Sequence, residues 1–193
     1  MLMLVLIGRF MWALGKLWLR LTNPKEYIFS TMGYRVWSAY CYGDYETASK
    51  LAVEYLNMAP DFPKSWFCDV AKYDGHQILG LVQLHQQNTS LAIEHLLLSS
   101  ATPKEVTVGH PSFRFILAYE LVKAGEQKVV IKFLTDLRNQ KIGKDFPEKY
   151  KHSQYKKLLD LHKKDRRALL AAWIKTIQEG NLPDDPRWRI KAA

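Results

Sequence analysis

Three stretches of this chain repeat one pattern, and that repetition constrains the fold more than any other feature of the sequence. They are GDYETASKLAVEYLNMAP (43–60), QNTSLAIEHLLLSSATP (87–103) and GEQKVVIKFLTDL (125–137). Each opens on a turn-forming Gly or Asn, then sets a small or β-branched residue, Ala48, Ala92 or Val130, among bulkier apolar residues. Each also follows a candidate helix, at 26–42, 66–86 and 112–124. Recurrence at a spacing of tens of residues marks stacked supersecondary units, because one helix pair cannot bury its apolar face alone. The pattern predicts an all-α protein made of antiparallel helix pairs. A chain of 193 residues that is 48% hydrophobic can bury such a core without disulfides or metals.

The middle unit carries a family resemblance. Leu79-Gly80 is followed by Ala92 twelve residues after the glycine, Leu96 four further on, and Pro103 at the close. This resembles the tetratricopeptide repeat, in which a Leu-Gly pair and a small residue let two helices approach closely while larger residues fill the joint between pairs. His76 stands where that family has a tryptophan, and the spacings from Ala48 to Ala92 and from Ala92 to Val130 are 44 and 38 residues, against about 34 in the family. The resemblance covers residues 26–137 and implies a right-handed stack of antiparallel helix pairs, an irregular TPR-like α-solenoid that holds another protein. The stretch 75–103 also resembles small TPR-like bacterial proteins, which implies a bacterial source and no particular reaction.

Two unlike ends bracket that core. Residues 1–22 form a candidate amphipathic helix in which Arg9, Lys16 and Arg20 fall within about 40° of one another on a helical wheel. Arg9 interrupts the apolar run after eight residues, which is short of the roughly 20 a membrane span needs. The cations follow the apolar run instead of preceding it, unlike a secretory signal. Packing as the opening helix of the stack and lying in a membrane interface, anchored by Trp12 and Trp18, are both open to it. Asn23-Pro24 ends this segment. The formal net charge of +9 is concentrated elsewhere: residues 138–175 carry 12 Lys and Arg against 4 Asp and Glu. A basic C-terminal helical region is therefore expected over 138–180, with a helix of about 152–179, and a tail over 181–193. HKKDRR at 162–167 leaves open whether that helix is one or two. Its field is screened beyond about 10 Å at ordinary salt, so charge by itself admits a solvated face, an acidic protein or nucleic acid, in that order of preference.

Chemistry-bearing residues are sparse. No nucleophile elbow, phosphate loop, dinucleotide fingerprint or paired-cysteine motif occurs. Cys41 and Cys68 are expected as reduced, packed thiols, and Cys68 lies two helical turns from His76, too far for a nucleophile and base pair. An antiparallel hairpin brings His76 towards His95, with His110 in the loop 102–111 beyond. That trio is the one opening for an enzyme or metal protein, although zinc sites usually show tighter local spacing. Seven aromatics, Tyr27, Phe29, Tyr34, Trp37, Tyr40, Tyr42 and Tyr45, crowd the first pair, more than one helix face can bury.

The resulting expectation is a non-catalytic protein-binding module with no cofactor. Its partner contacts are expected from Tyr34, Trp37, Tyr40, Tyr45, Trp66, Tyr73, His76 and His110, with Lys156, Lys163, Arg166 and Arg167 attracting a partner with an acidic surface. One bacterial form of such a module is an immunity or antitoxin protein that blocks a toxin by shape and charge. The alternatives are a membrane-surface adaptor anchored by residues 1–21, and an enzyme or metal protein using His76, His95 and His110. A cytoplasmic setting is expected, at the inner membrane face if residues 1–21 bind lipid.

Overall fold

A computed structural model describes residues 20–65, 67–100, 114–139 and 153–185. Among these the protein is all-helical, without a strand. The helices are α1 (Pro24–Cys41), α2 (Tyr45–Met58), α3 (Phe67–His85), α4 (Thr89–Ser100), α5 (Ile116–Lys123), α6 (Gln127–Asn139) and α7 (Ser153–Gln178), with a short 3-10 turn at Ala59–Asp61.

Local chemistry sets the boundaries. Arg20–Thr22 are helical, Asn23 is not, and Pro24 takes the first turn of α1, where a missing N–H costs nothing. The Asn23 side chain accepts from the Glu26 backbone N–H at 3.2 Å and donates to the Glu26 carboxylate at 3.0 Å, a reciprocal cap of the helix N-terminus. Asp44 caps α2 by accepting from Thr47 N–H at 3.0 Å, and hydrogen bonding by the Thr47 side chain, then by its backbone N–H, lowers the Asp44 pKa.

The three connections between paired helices share one geometry. After α1 the N–H of Gly43 bonds to Tyr40 O and that of Asp44 to Ala39 O; Gln87 and Asn88 repeat this after α3, and Gly125 and Glu126 after α5. Such a Schellman-type ending needs one residue in the left-handed region. Gly43 (φ 78°), Gln87 (φ 66°) and Gly125 (φ 90°) occupy it. The sequence pointed to Asn88 as the turn former of the middle pair, but the residue that takes positive φ is Gln87, which has a Cβ to accommodate. Gln87 is exposed, so Gln87→Gly is expected to stabilise the fold by about 0.5–1 kcal/mol through relief of that strain, seen as a higher urea midpoint at unchanged slope.

Side-chain contacts fix the direction of each pair. Phe29 meets Tyr55 at one end of α1 and α2 while Tyr40 meets Tyr45 at the other, so the two helices are antiparallel. His76 and His95 join α3 to α4, and Phe115, just before α5, meets Phe133 of α6. Phe29 also stacks on Phe62 at 4.7 Å, so the segment after α2 closes the base of the first pair.

Helix α3 touches α1, α2, α4 and α5. Every residue from Tyr73 to Val82 except His76 is buried, a helix enclosed on nearly all sides. Its two glycines make that enclosure possible. A Cβ on Gly75 would stand 2.7 Å from Leu56 Cγ of α2, and one on Gly80 would overlap the Leu117 side chain of α5 and sit 3.2 Å from His95 Cβ of α4. The Leu-Gly pair thus holds two neighbours close to one backbone.

Helix α7 runs without interruption from Ser153 to Gln178. It packs on α6, burying Leu170, Trp173, Ile174 and Ile177, and Trp173 meets Phe115 at 5.0 Å. The hydrophobic core therefore continues past residue 137, the limit the repeat suggested. Ala172 is exposed, whereas Leu170 and Ile174 face the core. The side chains of Leu158, Leu161, Lys156, Lys163 and Arg166 lie outside the described residues, as do residues 1–19. Among the described residues no helix is long and apolar enough to cross a membrane.

Candidate protein-binding face

Aromatic residues of α1, α2 and α3 form a continuous ladder. Trp37 packs edge-on against Tyr40 at 6.3 Å, Tyr40 against Tyr45 at 5.5 Å, and Tyr45 lies on the His85 ring at 4.0 Å. The geometry follows from the first turn: Tyr40 lies three residues before Gly43 and Tyr45 two after it, so the reversal brings the two rings together while Tyr42 points outward. His85, at the end of α3, arrives beside Tyr45 because α2 and α3 are also antiparallel. Tyr40 and Tyr45 are half-buried and His85 is exposed.

Burial, then the neighbouring Tyr45, Glu120 and Cys41, push the Tyr40 hydroxyl up to about 12, so it stays protonated and able to donate across the ordinary pH range. Tyr34, one turn before Trp37, is 82% exposed, and Tyr42 is 86% exposed in the reversal itself. Tyr34 was expected in the partner-binding set; Tyr42 was not.

Cations flank the ladder. Arg114 Cζ lies 4.9 Å from the centre of the Trp37 ring, and Lys123 Nζ lies 5.4 Å from that of Tyr119 on α5. Both are cation–π distances. Lys123 also pairs with Glu120 at 2.9 Å, an exposed ion pair of small energetic weight.

Beneath the ladder is a buried polar cluster that sequence reasoning did not single out. The Asp74 carboxyl on α3 is buried, and desolvation lifts its pKa to about 7 against the opposing effects of Trp37 and Arg114. The Trp37 indole lies close enough to lower the Asp74 pKa, and among the described residues its N–H makes no hydrogen bond of ordinary geometry. Asp74 in turn adds to the burial that raises the hydroxyl pKa values of Tyr55 and Tyr73. Tyr73 donates to the Arg114 carbonyl at 2.8 Å, tying α3 to the start of the third pair. Asp74 stands among Lys72, His76 and Gln77, so no local pattern marks its burial; Arg114 had no signal either, because its position depends on how the chain returns from α4.

The expected partner residues therefore divide. Trp37, Tyr40 and Tyr45 come together, and Tyr34 stands beside them. Tyr73 is 1% exposed and Trp37 7%; both are pinned into the core by the Asp74 cluster, so neither offers a free ring to a partner. His76 faces α4 and Arg167 is exposed on α7. Trp66 and His110 lie outside the described residues. Cys68 is buried as expected, whereas Cys41 is exposed in the last turn of α1.

His76 and His95 do meet. Their Nδ1 atoms are 3.2 Å apart on two half-buried rings. Burial lowers both pKa values; for His76 the neighbouring His95 adds to the effect, and Glu94 opposes it at both rings. Among the described residues no group of three or more His, Cys, Asp or Glu converges on a point that could hold a metal ion.

Comparison with protein-family models, with curated proteins and with solved structures found no match in any of the three.

Proposed function

We propose that this chain is a non-catalytic protein-binding scaffold, a TPR-like right-handed stack of helix pairs that grips a partner along the Tyr40–Tyr45 edge. The observation that carries the reading is the ladder itself: linked aromatic rings, partly open to solvent, with cations alongside and no reactive constellation among them. Rigid tyrosines supply large contact area at small entropic cost and are frequent anchors of interfaces. Arg114, Lys123, the exposed Arg167 and the basic stretch 138–175 favour a partner with an acidic surface. A bacterial immunity or antitoxin protein is the form of scaffold that suits a short chain using shape and charge against one target. A cytoplasmic setting belongs to the same proposal, with Cys41 and Cys68 as free thiols on separate helices.

The test is capture of the partner from the native host, followed by titration of the purified pair. Tyr40→Ala/Tyr45→Ala is expected to weaken binding by about 10- to 100-fold while far-ultraviolet circular dichroism stays that of wild type. A partner that binds the double variant as tightly as wild type would place the interface elsewhere.

A further inference from the structure

The His76–His95 pair is not used by the ladder, and its geometry suits a second role. The two residues come from different helices whose approach is fixed by Gly80, since the space for a Cβ there ends 3.2 Å from His95 Cβ. The rings are inclined by 32° with centroids 5.4 Å apart, and Nδ1 faces Nδ1 across 3.2 Å. A tetrahedral zinc ion with Zn–N bonds of about 2.0–2.1 Å spans two imidazole nitrogens roughly 3.3 Å apart. The gap thus already has the bite of a chelate, so little ordering remains to be done on binding. Both rings are half-buried, which leaves a route from solvent, and the exposed Glu94 carboxylate places a negative charge that acts on both.

We propose that His76 and His95 form a two-imidazole site for a borderline divalent cation of the zinc class, with water completing the coordination. Neutral imidazole is the favoured ligand of such ions, and both Nδ1 lone pairs are needed. In the metal-free pair one Nδ1 carries the proton shared between the rings; on binding that proton moves to Nε2 of the same ring, with no net release. The site is held by two protein ligands, so it exchanges its ion readily, unlike a closed structural centre.

The experiment is calorimetric titration of the full chain with zinc chloride at pH 7.5, repeated on His76→Ala and His95→Ala. Each variant keeps the other five of the six histidines. One equivalent is expected to bind wild type, with affinity at least about tenfold lower in both variants and a zinc-induced rise in Tm that both lose. His76→Asn separates the two roles of the pair, because it keeps a polar neighbour for His95 but removes one imidazole; it too is expected to lose the zinc response. Undiminished binding in all three variants, or no saturable uptake by wild type, would overturn the proposal.

Discussion

At pH 8 the Asp74→Asn variant is expected to be more stable than wild type by about 3 kcal/mol, and at pH 4 the two are expected to be nearly equal. The carboxyl titrates near pH 7 in the folded chain and at 3.8 when its environment is ordinary. Between those values the folded state holds a proton that the unfolded state has lost, so wild-type stability falls as pH rises from 4 to 7 and levels off above. A separation of about three pKa units corresponds to roughly 4 kcal/mol at most. Asparagine keeps the shape and the hydrogen-bonding capacity and removes the charge. Denaturant unfolding of both proteins from pH 4 to pH 8, in a chelating buffer, isolates the effect as their difference, because every other titrating group is common to both. A difference that does not change with pH would show that water or Arg114 already neutralises the site.

Substitution at Gly80 is expected to have an effect of similar size and opposite sign. Alanine there improves helix propensity by about 1 kcal/mol, yet its methyl would overlap the fully buried Leu117 and press on His95. Overpacking of a tight core typically costs 1–3 kcal/mol, occasionally more, so Gly80→Ala is expected to destabilise by about 1–2 kcal/mol net and Gly80→Val by about 3 kcal/mol or more. Gly75→Ala supplies the contrast. Its obstacle is Leu56, which is only partly buried and can swing aside, so a smaller loss is expected. Combining Gly80→Ala with Leu117→Ala tests the cause. The two changes should cost less together than the sum of their separate effects, since each makes room for the other. Additive losses would mean that the glycine serves some other purpose.

These two residues also show what the sequence could and could not disclose. Gly80 was legible: a glycine beside a leucine, twelve residues before Ala92, signals close helix approach, and both are buried where α3 meets its neighbours. Helix limits were legible for the same local reason. Turn formers, caps and Pro24 act within a few residues, and the expected helices at 26–42, 66–86 and 112–124 lie over α1, α3 and α5. Asp74 was not legible, because its burial is a property of four helices that converge on α3, and an apolar period describes only one face of one helix. The same gap explains Trp37. Its place in the aromatic crowd suggested a partner contact, but the core face of α1 and the return of Arg114 decide where the ring goes. The Tyr40–Tyr45 contact lay in between, since a reversal at Gly43 forces it, while the addition of His85 required knowing that α2 and α3 are antiparallel too.

Arg114 above Trp37 has a further consequence. In a simple repeat stack each unit touches its neighbours alone, and stability is close to a sum of independent contributions. Here the start of the third pair reaches over the second to the first, and Tyr73 anchors that reach from the helix between. This energy exists only when all three pairs are folded, so no pair can open at one end of the core without loosening the other. A molecule that grips the Tyr40–Tyr45 edge is therefore coupled to the folding of α5 as well as to the helices it touches.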